Sequence, residues 1–230
     1  MAKFIPGPAV ASVSGSVGGT VFSRNRGGAY MRNRAVPITS TTSYALAAKT
    51  RLADASQDWQ GLTAAQRASW RALADSQPVI NSLGAQVRLT GHQLYVGVNS
   101  RLAADGQSAI TDPPIIPAPD PLTSMSATYD IGTGAMEITF APTPLPAGVK
   151  LWILAALTNS PGINFVQNLL RFIGTSAAAQ ASAYDYETLI TARLGAPVVG
   201  QQVHLQVATF DTATGLLSGV LRADGTVVST

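Results

Sequence analysis

The sequence predicts an α+β multidomain chain: an extended N-terminal arm with a β-hairpin, a small three-helix region and a C-terminal antiparallel β-sandwich. Three observations carry this prediction. The first fifty-three residues hold Lys3, Arg24, Arg26, Arg32, Arg34, Lys49 and Arg51 but no acidic residue, in a Gly- and Ser-rich context. Apolar residues then recur at three-four spacing between helix-capping signals as far as Gly106. After a proline-rich stretch the pattern changes to short alternating runs punctuated by turn residues. The expected divisions are a basic arm over 1–40, a helical domain over 41–111, a linker over 112–121 and a sandwich over 122–230.

In the arm, Ser12-Val13-Ser14-Gly15-Ser16-Val17-Gly18-Gly19 has no helical period and too many glycines for a stable strand interior. Two extended runs follow, Thr20 to Asn25 and Ala29 to Ala35. Between them Arg26-Gly27-Gly28 signals a hairpin, because glycine accepts the positive φ of a tight turn. Two registers are open. A three-residue loop pairs Arg24 with Tyr30 and Phe22 with Arg32, gathering arginines and aromatics on one face. A two-residue Gly27-Gly28 turn pairs Arg24 with Met31 and splits the charges between faces. An isolated hairpin is marginal in water, so the arm is expected to be ordered by a neighbour. Phe22, Arg24, Arg26, Tyr30, Arg32 and Arg34 are the candidate partner-binding residues.

From about residue 41 the chain reads as helical. Ala45, Ala48, Leu52, Ala55 and Trp59 form one apolar stripe. Thr63-Ala64-Ala65-Gln66 is a capping box that opens a second helix carrying Trp70 and Leu73. Thr90-Gly91-His92-Gln93 repeats it and opens a third, with Leu94, Tyr95, Val98 and Leu102 inward and Gly106 as the stop. Pro78 to Leu89 reads as irregular. Trp59, Trp70 and Tyr95 anchor a small core.

Asp112 to Pro121 is a stiff polyproline-like spacer. Beyond it, Met136, Ile138 and Phe140 alternate with Glu137 and Thr139, and Leu151 to Leu157 reads as a buried central strand. Leu169 to Ile173, the run around Leu189, Val203-Leu205-Val207 and Val220 supply the rest. Turn signals stand at Gly132-Thr133-Gly134, Pro146-Ala147-Gly148, Ser160-Pro161-Gly162 and Thr214-Gly215. About seven short strands so spaced suggest an antiparallel β-sandwich. The alanine-rich stretch Ala177 to Ala183 has no place in that pattern.

Only 12% of the residues are charged, about half the usual share. A surface made of Ala, Ser, Thr, Gly and Gln is a weak barrier to association, so the chain is expected to pack against partners and form a homo-oligomer. With a net charge of +3 and seven cations in the acid-free first fifty-three residues, the remainder is negative. There is no cysteine for a disulfide framework or thiolate metal site, which fits a cytosolic origin. Met1 to Pro8 lacks the apolar core of a signal peptide, and Leu151 to Leu157 is too short to cross a bilayer, so no membrane partner is expected.

No residue pattern points to a catalytic centre, and no enzyme is expected. His204 alternates with Gln202 and Gln206 and reads as solvent-facing, while His92 lies in the first turn of a helix. Asp54 and Asp58 share a helical face, and Asp185 and Glu187 share one side of a possible strand; both pairs read as solvated surface. No phosphate-loop or zinc spacing occurs. No cofactor or metal is expected. Trp152 sits in the most apolar strand and reads as core rather than as a sugar-stacking platform. That leaves the arm. On nucleic acid its arginines would meet phosphates while Phe22 and Tyr30 stacked on bases. It has few lysines and no dense basic run, however, and its small residues suit extended packing across an acidic protein, where Arg bonds carboxylates bidentately. The protein partner is the favoured expectation.

Val13-Ser14-Gly15-Ser16-Val17-Gly18-Gly19-Thr20-Val21-Phe22-Ser23-Arg24, followed by Gly27-Gly28-Ala29-Tyr30-Met31-Arg32, resembles the start of uncharacterised proteins of tailed phages and prophages. Trp59, Leu62-Thr63, Gln66-Arg67 and Trp70, then Leu83-Gly84, Leu89-Thr90-Gly91 and Asn99, are similar to their middle section. Val203 to Asp211 leading to Thr214-Gly215 is like the penultimate strand and turn of a fibronectin type III-like or immunoglobulin-like domain. The resemblance implies a virion structural protein made in the host cytoplasm. A capsid decoration or cement role is the first expectation, with a neck or tail accessory position second and a nucleic-acid-associated role third. Its partners would be capsid, portal, neck or tail subunits.

Overall fold

The computed structural model describes residues 2–5, 7, 8, 10, 12–35, 41–80, 84–115, 117–132, 136–160, 162, 163 and 165–229. Thr133 and Gly134 of one expected turn, and Pro161 of another, lie outside them. The chain divides into two compact units, Met1–Ser100 with Thr111–Pro113, and Arg101–Ile110 with Pro114–Thr230. Its class is α+β, with four helices and several antiparallel sheets among the described residues.

In the first unit, β1 (Ala2–Lys3), β2 (Gly15–Val17), β3 (Thr20–Asn25) and β4 (Gly28–Asn33) form an antiparallel sheet of order β1-β4-β3-β2. This corrects the expectation of a lone hairpin, since the chain itself supplies a strand on each side. The glycine-rich stretch is part of the sheet: Gly15 opens β2, while Gly18 and Gly19 lie at the turn. Gly18 (φ 53°) and Gly19 (φ 86°) take the positive angles that a two-residue hairpin turn demands, and Val17 pairs with Thr20 across it. The β3–β4 register is neither of the two expected. Arg24 faces Ala29, Ser23 faces Tyr30, Phe22 faces Met31, and the loop is Arg26-Gly27. Asn25 Oδ1 accepts the Gly27 N–H at 2.8 Å, an Asx turn that favours this tighter loop.

The helical part contains α1 (Ser43–Gly61), α2 (Ala64–Ser76) and α3 (Gly91–Ala104), with a short hairpin of β5 (Val79–Ile80) and β6 (Gln86–Val87) where irregular chain was expected. The α2 box forms as the sequence implies: the Gln66 N–H donates to Thr63 Oγ1 at 3.2 Å, and Gln66 Oε1 accepts the Thr63 N–H at 3.0 Å. Thr90 and Gln93 do the same for α3, at 3.1 and 2.9 Å. After α3, the Gly106 N–H donates to Ala103 O and the Gln107 N–H to Leu102 O, with Gly106 at φ 76°, which is a Schellman stop. The anchors converge: Tyr95 meets Trp59 at 5.4 Å and Trp70 at 5.3 Å between ring centroids. Trp70 is fully buried, and its Nε1 donates to Thr111 O at 2.8 Å. The α1 stripe is shifted from expectation. Leu52 is exposed, and the inward line runs through the half-buried Arg51 to Ala55 and Trp59. A long arginine stem covers apolar surface as well as a leucine does.

The second unit contains β7 (Ser124–Ala127), β8 (Glu137–Ala141), β9 (Val149–Thr158), β10 (Arg171–Thr175), β11 (Tyr184–Asp185), α4 (Glu187–Leu194), β12 (Gln202–Asp211) and β13 (Leu221–Thr226). They form two antiparallel sheets, β11-β8-β7 and β10-β9-β12-β13. Met136, Ile138 and Phe140 from one sheet and Leu151, Ile153, Val203, Leu205 and Val207 from the other belong to one buried cluster. Alternation explains this, because each strand turns every second side chain to the shared core. The run around Leu189 is a helix rather than a strand. Its Ile190 is buried in the same cluster, and the Asp185 carboxylate accepts the Glu187 N–H at 2.8 Å at its start. The alanine-rich stretch packs along the sheet ends: Gln180 O accepts the Leu145 N–H, Val149 O accepts the Ala179 N–H, and Ser182 Oγ accepts the Phe140 N–H.

Candidate partner-binding sheet

The observed register decides how the six candidate residues are grouped. Side chains directly opposite in an antiparallel pair share a face. Phe22, Arg24, Ala29 and Met31 therefore lie on one face, joined by Ala2, which pairs with Met31. Phe4 completes that face, meeting Phe22 edge-on at 6.1 Å. Tyr30 and Arg32 lie on the other face with Val21, Ser23 and Lys3. Each face thus carries aromatic and cationic groups, with the larger apolar area on the Phe22 side. Arg26 sits in the turn. The Arg34 N–H, just beyond β4, donates to Gly19 O at 2.6 Å.

Among the described residues of 2–35 none is buried, and Met31 is 36% exposed. Lys3, Arg24, Arg26, Arg32 and Arg34 have no carboxylate within ion-pair distance among the described residues. Sequence explains the second fact: the nearest acidic residue along the chain is Asp54. A sheet with two half-open faces and only positive charge is suited to covering by something negative. The Arg26 end opens on a cavity of about 420 Å³ lined also by Trp59, Arg71, Asp75 and His92. His92 is held there by Ser56 Oγ at 3.2 Å and by the Trp59 ring at 5.5 Å.

Two polar clusters in the second unit escaped sequence reasoning. His204 is not solvent-facing. It is 8% exposed, with Nε2 3.1 Å from Thr158 Oγ1 and Nδ1 2.7 Å from Asp224 Oδ1. Alternation did place it off the core side, but β12 is a central strand, so β9 and β13 cover that side as well. A hydroxyl, an imidazole and a carboxylate in a row resemble a nucleophile relay. Thr158, at 5% exposure, is closed to a substrate in this arrangement, which serves to tie three strands together. The second cluster centres on Asp105, which accepts from Lys150 Nζ at 2.8 Å, Thr175 Oγ1 at 2.5 Å and Gln107 Nε2 at 3.0 Å. Burial opposes its ionisation, yet these donors outweigh burial and hold the carboxyl below its ordinary value. No local motif announces this cluster, because Lys150 and Thr175 lie 45 and 70 positions from Asp105.

Among the described residues, no three His, Cys, Asp or Glu side chains converge as a metal site, and no helix is long and apolar enough to cross a membrane. None of the protein families or curated proteins compared with the chain matches it.

Proposed function

We propose that this chain is a structural protein of a tailed-bacteriophage virion, a capsid decoration or cement protein that docks through its N-terminal sheet and carries a fibronectin type III-like domain. The observation that carries the docking reading is the sheet of residues 2–33: acid-free, cationic, with aromatic groups on both faces and no buried described residue. Covering such a sheet removes apolar area from water while bringing arginines to carboxylates, and these two gains act together. The domain reading is supported by seven antiparallel strands in two sheets, with the first, second and fifth in one and the third, fourth, sixth and seventh in the other. Low surface charge favours repeated copies packed side by side, so a homo-oligomer is part of the proposal.

The test is imaging of purified source particles that carry a label at the C-terminus of the chain. Repeated label on the head exterior is the expected result; label at the neck or tail would move the assignment to an accessory position. Deleting residues 1–36 is expected to strip the label from particles, and full occupancy by the truncated chain would end the docking reading. Sub-micromolar, steeply salt-dependent binding of the full chain to DNA would make nucleic acid the partner instead.

A further inference from the structure

We infer that the partner docks by adding a strand to the open edge of β2, and that this strand is an extended segment of another protein with acidic residues at its ends. The inference rests on the docking reading above and specifies its chemistry. Strand β2 is the last in the order β1-β4-β3-β2, and all three of its residues are exposed. Because Val17 and Thr20 close a two-residue turn, they form a hydrogen-bonded pair, and alternation turns the Ser16 N–H and C=O outward. Those groups are a template for another strand.

Proteins usually blunt such edges, and several edges of this chain are blunted. In the sandwich, edge strand β10 is broken by a bulge between Phe172 and Gly174, and edge strand β13 carries Arg222 and Asp224. Past the end of β7 the chain pairs with the C-terminal segment, through Val228 N–H to Tyr129 O and Ile131 N–H to Val228 O. At the other side of the N-terminal sheet, β1 is two residues long, carries Lys3, and is followed by Pro6 and Pro8. From Ser12 to Val17 there is neither a charge nor a proline. Among the described residues the edge of β2 carries neither a bulge nor a charge nor a pairing segment, unlike β1, β10 and β13.

Charge selects the occupant. Two copies joined edge to edge would bring together two sets of Lys3, Arg24, Arg26, Arg32 and Arg34 with no acid between them, which is repulsive at this spacing. A strand added outside β2 lies about 10 Å from β3, two strand spacings away, within reach of the Arg24 side chain. Arg34, bonded through its N–H to Gly19 O, flanks the opposite end at the turn. A segment with a carboxylate near each end and small or β-branched residues between them fits both the ladder and the charges.

The test uses the full chain and a capped peptide of alternating threonine and valine with glutamate at both ends. The expected result is saturable binding, slowed hydrogen exchange at the Ser16 amide, and about five-fold weaker binding when one of two adjacent central residues, the valine or the threonine whose N–H faces β2, is N-methylated, the worth of one backbone hydrogen bond. Replacing both glutamates by glutamine is expected to weaken binding further at low salt. Equal binding of both N-methylated peptides, one methylated at the valine and one at the neighbouring threonine, would overturn strand addition, and equal binding of the glutamine peptide would overturn the acidic partner. Concentration-dependent protection of Ser16 without peptide would make the occupant a second copy and overturn the inference. So would absence of binding at millimolar peptide. The two readings fail separately, since a chain missing from particles can still bind the peptide, and a chain present on particles can leave Ser16 unprotected.

Discussion

Lys150 Nζ stands 2.8 Å from Asp105 Oδ2, joining two residues forty-five positions apart, with the aspartate side chain 2% and the lysine side chain 18% exposed. Thr175 and Gln107 donate to the same carboxylate, so the pair is satisfied on the acid side by more than its cation. Removing one member leaves the other charge buried and unpaired, which costs more than the intact pair contributes. Asp105→Ala is therefore expected to destabilise the chain by about 3 kcal/mol, read as a lowered urea midpoint. Lys150→Met with Asp105→Leu is expected to recover most of that loss. A change below about 0.5 kcal/mol, the range of an ordinary surface substitution, would mean that the contact is incidental.

The same carboxylate gives stability a direction in pH. Its donors hold Asp105 below the usual value in the folded chain, so on acidification the unfolded chain takes up the proton first. The contribution is complete above the unfolded value, near 3.9, and is lost as pH falls through the lower, folded value. The stability difference between the natural chain and Asp105→Asn, followed by urea unfolding at successive pH values, is expected to be constant from neutral pH to about 5 and to shrink below 4. A difference that grew on acidification would show the opposite sign of shift.

The two halves of the chain differ in what could be read from sequence. Both capping boxes, the Gly106 stop, the convergence of Trp59, Trp70 and Tyr95, and the inward alternation of Met136, Ile138 and Phe140 follow from local patterns, and all are present. The hairpin register was not legible, because Arg26, Gly27 and Gly28 permit several loops and the choice rests on one Asn25 side-chain bond. The glycine-rich strand β2 was missed for a related reason: Gly18 and Gly19 weaken a strand interior but make a turn, and composition does not say which. The burial of His204 is not legible either, because one strand's alternation does not reveal how well its neighbours cover the second face. For the partner-binding sheet, sequence named the residues, while only the register separated Phe22 and Arg24 from Tyr30 and Arg32.

Gly225 on β13 lies beneath Tyr129, where a Cβ would overlap the phenol ring. An aromatic ring resting on a strand glycine supplies the cover that the missing side chain does not. Burial, reinforced by nearby Asp224, pushes the Tyr129 phenol well above its ordinary pKa, so it stays neutral across the usual pH range. Gly225→Ala is expected to cost about 2 kcal/mol by overpacking, and Gly225→Ala combined with Tyr129→Ala to cost less than the sum of the two. Additive losses in a double-mutant cycle would show that the ring and the glycine do not interact.

Trp152 packs on the side of β9 away from the core cluster, stacked on Phe172 at 4.0 Å and 24° and tilted against Phe210 at 5.1 Å. Its 8% exposure leaves no open face for a ligand. Trp152→Ala is expected to lower stability by about 3–5 kcal/mol, and Trp152→Phe by much less. Denaturation midpoints followed by circular dichroism test this. A neutral alanine variant would reopen the possibility that the ring serves a ligand.

The arginines of the N-terminal sheet are expected to act through charge on the proposed docking, and the register says how to separate their effects. Arg24→Gln alters the face of Phe22 and Met31, and Arg32→Gln the face of Tyr30. If one face covers the partner, one of these substitutions weakens attachment to particles several-fold more than the other. Replacing Arg24, Arg26, Arg32 and Arg34 together by Gln is expected to weaken attachment more at low than at high salt, because exposed charge attraction is screened over about 10 Å at 0.1 M. Co-sedimentation with particles across a salt series measures both effects. Equal loss at every ionic strength would assign attachment to backbone pairing and shape, with the charges left as guides to the encounter rather than as holders of the complex.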